Sequence, residues 1–580
     1  MNAESFSNNT TTSATVVRML EGLGITHAFG VSGGAIAPVW ATLQHHSSIE
    51  VFHFRHEVGA VFAAIESYFA SDRPAVVFTT AGPGITNALT GLFAARWEGA
   101  KVIFLSPATS TAQRGRWAFQ ETSTYTMPGE IFSTSKSLFH YATTIESGDE
   151  LPKIARRLAA GLARPGGFVV HLSISTAIQS SFIDISLPQG AAVQTLVSAT
   201  PQAIAECVQL LSEEPFAIWV GFGARGAAAE IRQLAERTGA AVMCSPRGKG
   251  IFPENHPQFV GVTGFGGHSS VLAYMQQHCP LRVLVLGTRL GELTSFWNPE
   301  LVPKRGFLHV DIDPEVPGVA YPSVETVSIQ SDVGVFVRQL LEHFLNRHER
   351  STAAVTLPRP QSKAIYPNTG SLVRPEMLMD AIQRVIVEGS DAVVMTEAGN
   401  SFAWGTHTLR FDKPGRYRVS TGFGSMGHAT TGVLGAALAR QGKAVALVGD
   451  GSMLMNNEVS TAVRYQIPAV WIVLNDARYN MCAQVMPSLG FEGMDTEIPQ
   501  TDFVMLARGM GADGTRVETE SDVQAALERA LASPVPFVVD VVIDPSSRAP
   551  VGTRTQSLIQ QDATESIVTP SKSGWSGWEI

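Results

Sequence analysis

Short apolar runs alternate with longer helix-compatible stretches along most of the chain. Between His27 and Pro107 the runs HAFGV, EVFHF, AVVFTT and KVIFLS read as buried strands, and segments such as GAVFAAIESYFA between them read as helices. That alternation predicts a parallel sheet covered by helices. It returns twice: FAIWVGF, AAVMCS, LRVLVLG and GFLHVDIDP mark a second unit, and DAVVMTEAGN, KAVALVGDG and AVWIVLND a third. Polar, proline-containing joins near 186–201 and 347–376 separate them, and no short solenoid repeat is present. The expected architecture is α/β, with three doubly wound parallel-sheet domains over residues 1–186, 200–347 and 375–545. Residues 546–580 are rich in Ser, Thr and Gln and poor in apolar runs apart from Trp575 and Trp578, which fits either a C-terminal tail or a lid.

The third unit carries the sharpest chemical pattern. Residues 449–476, GDGSMLMNNEVSTAVRYQIPAVWIVLND, follow one apolar run and end on another, so they read as the connection of a β-α-β unit. Such a crossover is right-handed and brings both strand ends to one edge of the sheet. Asp450 and Asp476 then sit side by side at the carboxyl edge, where open α/β sheets bind ligands. Two oxygen donors there suit a hard cation such as Mg²⁺, completed by phosphate oxygens. Gly449 and Gly451 let those oxygens approach the backbone. Taken alone, Gly-Asp-Gly reads more readily as a turn, and the second acidic strand end shifts the reading.

Composition narrows the partners. With 580 residues, 44% hydrophobic and 16% charged, the chain is long and apolar enough for several cores. A net charge of −9 supplies no basic field for nucleic acid or anionic membrane, so small molecules are the expected partners. Cys207, Cys244, Cys279 and Cys482 are scattered without CxxC spacing, which suits a reducing compartment and excludes a zinc or disulfide framework. The start, MNAESFSNNTTTS, is not a signal peptide, and no run of about 18 apolar residues is present, so a cytoplasmic location is expected.

Five motifs in order, RHEVGA (55–60), TAGPGITN (80–87), RGKGIFPENHP (247–257), GDGS (449–452) and LND (474–476), resemble the thiamine diphosphate-dependent enzymes of the acetolactate synthase-like group over about residues 14–545. The resemblance implies a pyrimidine-binding first domain, a central domain and a diphosphate- and Mg²⁺-binding third domain. It also implies a homodimer or homotetramer with active sites between subunits. It makes Asp450, Asp476 and the backbone oxygen of Arg478 the metal ligands, although the family usually has Asn where Asp476 stands. Gly451 and Ser452, with Asn400, Ser401 and Met481, fall at cofactor-binding positions. Glu57 matches the glutamate that hydrogen-bonds the pyrimidine ring and activates the cofactor; by itself it also fits a helix N-terminal acid paired with Arg55 or His56. Gly424 matches a carbonyl that accepts from the ring amino group, and Met426 an apolar wedge that bends the cofactor. Pro83 and Asn87 fall in the loop beside the pyrimidine, which otherwise reads as a strand-to-helix turn. Phe119, Gln120 and Glu121 resemble a substrate-lining segment, with Gln120 as donor to a substrate oxygen. His428 is readable as a proton shuttle or a structural histidine, and Lys136 lies near a substrate-facing lysine of the family.

The reaction implied is carboligation: a 2-keto acid is decarboxylated and the resulting enamine attacks a second carbonyl to give an acyloin. Alternatives are a non-ligating 2-keto acid decarboxylase, acetolactate synthase proper, a 2-hydroxyacyl lyase and a silent paralogue; retention of Glu57, Asp450 and Gly424 argues against the last. FAD in the central domain is possible but not expected. True acetolactate synthases carry an arginine near Leu293 and a tryptophan near Val485, so bulky or aromatic substrates and a role in specialised metabolism are expected here.

Overall fold

A computed structural model describes residues 10–135, 137–188, 195–213, 215–344, 356–361, 365, 372–455 and 458–561. Eighteen of its strands form three six-stranded sheets in which every pairing is parallel, as the apolar runs require, and a two-residue antiparallel pairing joins Thr10–Thr11 to Phe182–Ile183. The first holds β1 (His27–Gly30), β2 (Glu50–His53), β3 (Ala75–Phe78), β4 (Lys101–Ala108), β5 (Tyr141–Ile145) and β6 (Phe168–Ser175), in the order β2-β1-β3-β4-β6-β5. The central sheet holds β7 (Ala217–Val220), β8 (Ala241–Cys244), β9 (Phe259–Val262), β10 (Val283–Leu286), β11 (Phe307–Asp311) and β12 (Thr326–Gln330), ordered β9-β8-β7-β10-β11-β12. The third holds β13 (Val393–Thr396), β14 (Tyr417–Val419), β15 (Ala444–Gly449), β16 (Ala469–Asn475), β17 (Asp513–Val517) and β18 (Phe537–Val542), ordered β14-β13-β15-β16-β18-β17. Strands such as β3, β8 and β10 are buried at every residue, because helices cover both faces of a parallel sheet.

The first and third sheets share one strand order, and two helices join them. Helix α1 (Glu57–Ser71) follows β2; α2 (Pro83–Glu98) follows β3; α3 (Asn400–Thr408) follows β13; α4 (His428–Arg440) follows β14. Helices α1 and α4 cross so closely that a Cβ on Gly435 would lie 1.9 Å from the Ala63 carbonyl oxygen, so no larger residue fits. Arg418 on β14 forks onto Glu66 of α1, Nε to Oε2 at 2.8 Å and Nη2 to Oε1 at 2.9 Å. Burial alone would raise the Glu66 carboxyl, but Arg418 and the His428 contact override it and hold it well below the usual carboxylate range. The central domain is fastened to both: Arg247 meets the Glu98 carboxylate at 3.0 Å, and the buried Lys249 donates to Glu254 at 2.7 Å and to the Thr406 carbonyl at 3.0 Å.

Two expectations are adjusted. The crossover between β15 and β16 is not one helix but two short ones, Asp450–Met453 and Val459–Tyr465. Glu458, at the start of the second, is drawn away to accept from the backbone N–H groups of Arg55 and His56, each at 3.0 Å. The described part of the C-terminal segment is folded onto the body rather than free. Gln484 donates to the Ser547 carbonyl at 2.9 Å, and Arg554, in the helix Arg554–Gln561, pairs with Glu292 of the central domain. Residues 562–580 lie outside the described residues.

Candidate active site

A cavity of about 260 Å³ opens at the carboxyl ends of β13, β15 and β16, where the strand order reverses between β13 and β15. Asn400 and Ser401 reach it from the start of α3, Asp450, Gly451 and Ser452 from the end of β15, Asp476, Arg478 and Met481 from beyond β16, and Met426 from the loop before α4. These are the sequence-singled residues that the structure brings together.

The acidic pair dominates the cavity. Asp450 is 3% exposed; its Oδ1 accepts from the Gly451 N–H at 2.7 Å and its Oδ2 from the Asp476 N–H at 3.2 Å. Asp476 accepts from Asn480 Nδ2 at 2.6 Å. Burial, and after it the charge on Asp450, pushes the Asp476 carboxyl up to about 7, and burial raises Asp450 as well. Two carboxylates are thus held together with the Arg478 side chain as the nearby positive charge, and the Asp476 carboxyl stays raised despite it. A divalent cation relieves that strain, and an all-oxygen set of two carboxylates and the Arg478 carbonyl fits Mg²⁺. Among the described residues no three His, Cys, Asp or Glu side chains gather into a metal cluster, so phosphate or water oxygens must complete the shell. Two further groups in the cavity lack partners: Asn400 Oδ1 and Arg478 Nε are buried without a hydrogen bond. A Cβ on Gly451 would lie 2.6 Å from the Tyr479 ring, so a larger residue there would have to push that ring aside.

The first-domain residues form a separate group; none of them lines this cavity. Glu57 is the first residue of α1, 7% exposed, and accepts from Asn87 Nδ2 at 3.1 Å. It does not pair with its neighbours, since His56 caps the Val58 N–H and Arg55 donates to Ser460. The loop that aims Glu57 is instead anchored by Glu458 of the third domain. Pro83 opens α2 after Gly82, whose N–H donates to Thr122 at 2.8 Å. Gln120 stands over that turn with a positive φ of 53°, close enough that a Cβ on Gly82 would come within 3.1 Å of its own Cβ. Glu121 turns inward and accepts from the Gly115 N–H and the Ser123 hydroxyl, so it is spent on its loop, while Phe119 is 91% exposed.

Gly424 has φ of 69° in an exposed part of the loop before α4. Glu98 holds the start of that loop, accepting from Ser420 Oγ and from the N–H groups of Thr421 and Gly422 at 2.9–3.1 Å. The structure does not bring His428 to the cavity. It is 2% exposed, donates from Nε2 to Glu66 at 2.9 Å, lies against the Phe62 ring and leaves Nδ1 without a partner. Lys136 lies outside the described residues. Val485 is buried and does not line the cavity, whereas Trp404 and Tyr479 do, so indole and phenol rings are present at its wall. Leu293 packs into the same apolar cluster as Met481, and the guanidinium of Arg554 sits on its neighbour Glu292. Trp404, Asn480 and Arg554 were not singled out from sequence, because each arrives through long-range packing with no motif around it.

Comparisons with known proteins match all three domains. Residues 10–127 match the family "Thiamine pyrophosphate enzyme, N-terminal TPP binding domain", residues 204–340 its central domain and residues 397–541 its C-terminal TPP binding domain. The chain is 28% identical over 540 residues to the acetolactate synthase isozyme 2 large subunit of Escherichia coli, covering 91% of this chain and 95% of the relative. It is 27% identical over 577 residues to the probable acetolactate synthase large subunit of Methanocaldococcus jannaschii, covering 94% of each. It is 28% identical over 554 residues to the acetolactate synthase of Mycobacterium bovis, covering 91% of this chain and 87% of the relative. With all three domains matched in order, the chain belongs to the thiamine pyrophosphate-dependent enzymes, among those related to acetolactate synthases.

Proposed function

We propose that the chain is a Mg²⁺- and thiamine diphosphate-dependent carboligase that works as a homodimer or a multiple of it, decarboxylating one 2-keto acid and joining it to a second carbonyl. The observation that carries the reading is the buried Asp450–Asp476 pair facing across a cavity at the reversal point of the third sheet. When bound, the thiazolium of the cofactor supplies the electron sink for loss of CO₂ and for carbon–carbon bond formation. The protein binds, orients and moves protons. Asp450, Asp476 and the Arg478 carbonyl hold the cation; Gly451, Ser452, Asn400 and Ser401 receive the diphosphate; Met426 and Met481 offer apolar contact to the ring system. Glu57 exchanges a proton with the pyrimidine; the Asn87 hydrogen bond takes up one of its oxygens and leaves the other without a protein donor among the described residues. Gly424 offers its carbonyl to the ring amino group, Pro83 packs beside the ring, and Gln120 donates to a substrate oxygen. His428, with Nε2 committed to Glu66, enters this reading as a support of α4.

Glu57 and the acidic cavity belong to different groups within one chain, so a second copy is needed to bring a Glu57 to each cavity. Trp117, Phe119 and Tyr125, 97%, 91% and 75% exposed in the loop beside Gln120, are the apolar surface such a copy would cover. Co-expression of Glu57→Gln with Asp450→Ala chains tests this. Each variant alone is inactive, and a mixed dimer rebuilds one intact site, returning about a quarter of the wild-type rate under random pairing. No recovery above either parent would refute the shared site.

For substrates, the aliphatic Leu293 favours a bulkier or aromatic partner over one held by its carboxylate. Acetolactate synthesis itself is the competing reading, and the resemblance to acetolactate synthase large subunits along nearly the whole chain favours it. Product analysis decides: acyloins from aryl pyruvates with poor acetolactate formation support the first, and efficient acetolactate formation from pyruvate alone supports the second.

A further inference from the structure

The cavity holds a cation of its own. Arg478 lines it beside Asp450 and Asp476, and among the described residues its guanidinium makes no hydrogen bond or ion pair, with Nε fully buried. Other buried arginines of the described residues commit at least part of the guanidinium to protein acceptors. Arg418 spends its guanidinium on Glu66, and Arg416 spends its own on the carbonyls of Val387, Ser390 and Ala392. A buried donor left without an acceptor is costly, so an acceptor is missing from the single chain. Asp476 is not that acceptor: it accepts from Asn480, and no ion pair links it to Arg478.

We propose that the Arg478 side chain receives a terminal phosphate oxygen of the bound diphosphate and that it is the counter-charge to Asp476. This rests on the reading that the cavity takes thiamine diphosphate with a divalent cation. Two carboxylates and one guanidinium leave the cavity with the same net charge as a single carboxylate. The extra negative charge at position 476, which strengthens the grip on the cation, would repel the diphosphate; the guanidinium of Arg478, two residues further along the chain and lining the same cavity, offsets that repulsion. A guanidinium suits the task because its planar fork matches two phosphate oxygens at once, which an ammonium cannot do. The backbone and side chain of Arg478 then have separate duties, the carbonyl toward the cation and the fork toward the anion.

Calorimetric titration of the cofactor-free full-length protein tests this, using thiamine diphosphate, inorganic diphosphate and unphosphorylated thiamine, each with Mg²⁺. Arg478→Met should weaken both diphosphates roughly tenfold to a hundredfold while leaving thiamine unchanged. Arg478→Lys, which keeps charge and most of the volume, should recover part of the loss. Mn²⁺ binding followed by electron paramagnetic resonance without any diphosphate should tighten in Arg478→Met, because a positive charge has left the site. Wild-type diphosphate affinity in both Arg478 variants, with binding lost in Asp450→Ala, would overturn the proposal and leave the cofactor site standing. Failure of the wild-type protein to bind thiamine diphosphate at all would overturn both.

Discussion

The first and third domains are built on one strand order, and corresponding positions carry different chemistry. After the third strand of each sheet the chain turns through a glycine into a helix: Gly82-Pro83-Gly84 in the first domain, Gly449-Asp450-Gly451 in the third. After the second strand each begins a helix that packs against the other, at Glu57 and at His428. The proline offers a rigid apolar surface, and the aspartate offers charge to a cation. Glu57 keeps one oxygen clear of protein donors, whereas His428 is sealed between Glu66 and Phe62. The fold supplies the location at the sheet edge; the side chain there decides whether it receives ligand or fills the interface.

The largest expected contrast is between the two helix-initiating residues. Glu57→Gln keeps shape and removes the proton, so it should lower kcat by roughly 10²–10⁴ while thiamine diphosphate affinity stays within about threefold. His428→Gln should leave kcat within about tenfold and instead lower the urea midpoint. Steady-state rates at saturating cofactor, with the affinity measured separately, check both. Equal losses of kcat would break the comparison.

The buried pair behind His428 should weigh on stability. Arg418→Met strips the guanidinium from a carboxylate 2% exposed and should cost about 3–5 kcal/mol in urea unfolding. The sign of the pH dependence should change with it. In the wild type the Glu66 pKa is depressed, so its contribution is fully present above the ordinary carboxylate value of about 4.3 and is lost as pH falls below it. Without Arg418, burial is less opposed and raises Glu66, so stability should fall as pH rises above about 4.3. Urea midpoints between pH 4 and 8 separate the two profiles.

Next in size is the contrast at the glycine-flanked turns. Asp450→Ala should weaken Mg²⁺-dependent cofactor binding by about a hundredfold or more, since it removes one of the proposed metal ligands. Pro83→Ala should change it by less than about threefold, because it removes only apolar contact. Quenching of intrinsic fluorescence on cofactor titration reads both.

Legibility from sequence followed the same physics. Strands buried on both faces left continuous apolar runs, so β3, β4, β7, β10, β15 and β16 were visible as text. The three-residue β14 was not, because its central residue is Arg418, a charge tolerated only through Glu66 of another domain. The acidic edge was legible because glycines and aspartates at strand ends have few other reasons to recur. The division of the site was implied only by family resemblance, since no local pattern says that Glu57 and Asp450 reach different places in one chain. Trp404 at the cavity wall and Arg554 on Glu292 stand in no motif, and each placement exists only after packing.

The smallest effect should come from Asp476→Asn, which brings the third domain closer to the usual pattern of its family. Asparagine keeps an oxygen toward the cation and loses the charge, so at saturating Mg²⁺ the cofactor affinity should stay within about threefold of wild type. The metal-free protein should respond differently, and only at high pH. The Asp476 pKa is raised to about 7 by burial and then by Asp450, so the folded state holds a proton that the unfolded chain releases. Folding stability is therefore lost as pH rises from the ordinary value of about 3.9 towards 7, and the full repulsion is felt above that. Asp476→Asn should raise the melting temperature of metal-free protein by about 2–4 °C at pH 8 and change it little at pH 5. Scanning calorimetry with chelator at the two pH values checks the sign. A loss of cofactor binding in Asp476→Asn as deep as in Asp450→Ala would show instead that the second charge, and not the position of its oxygen, is what the third domain requires.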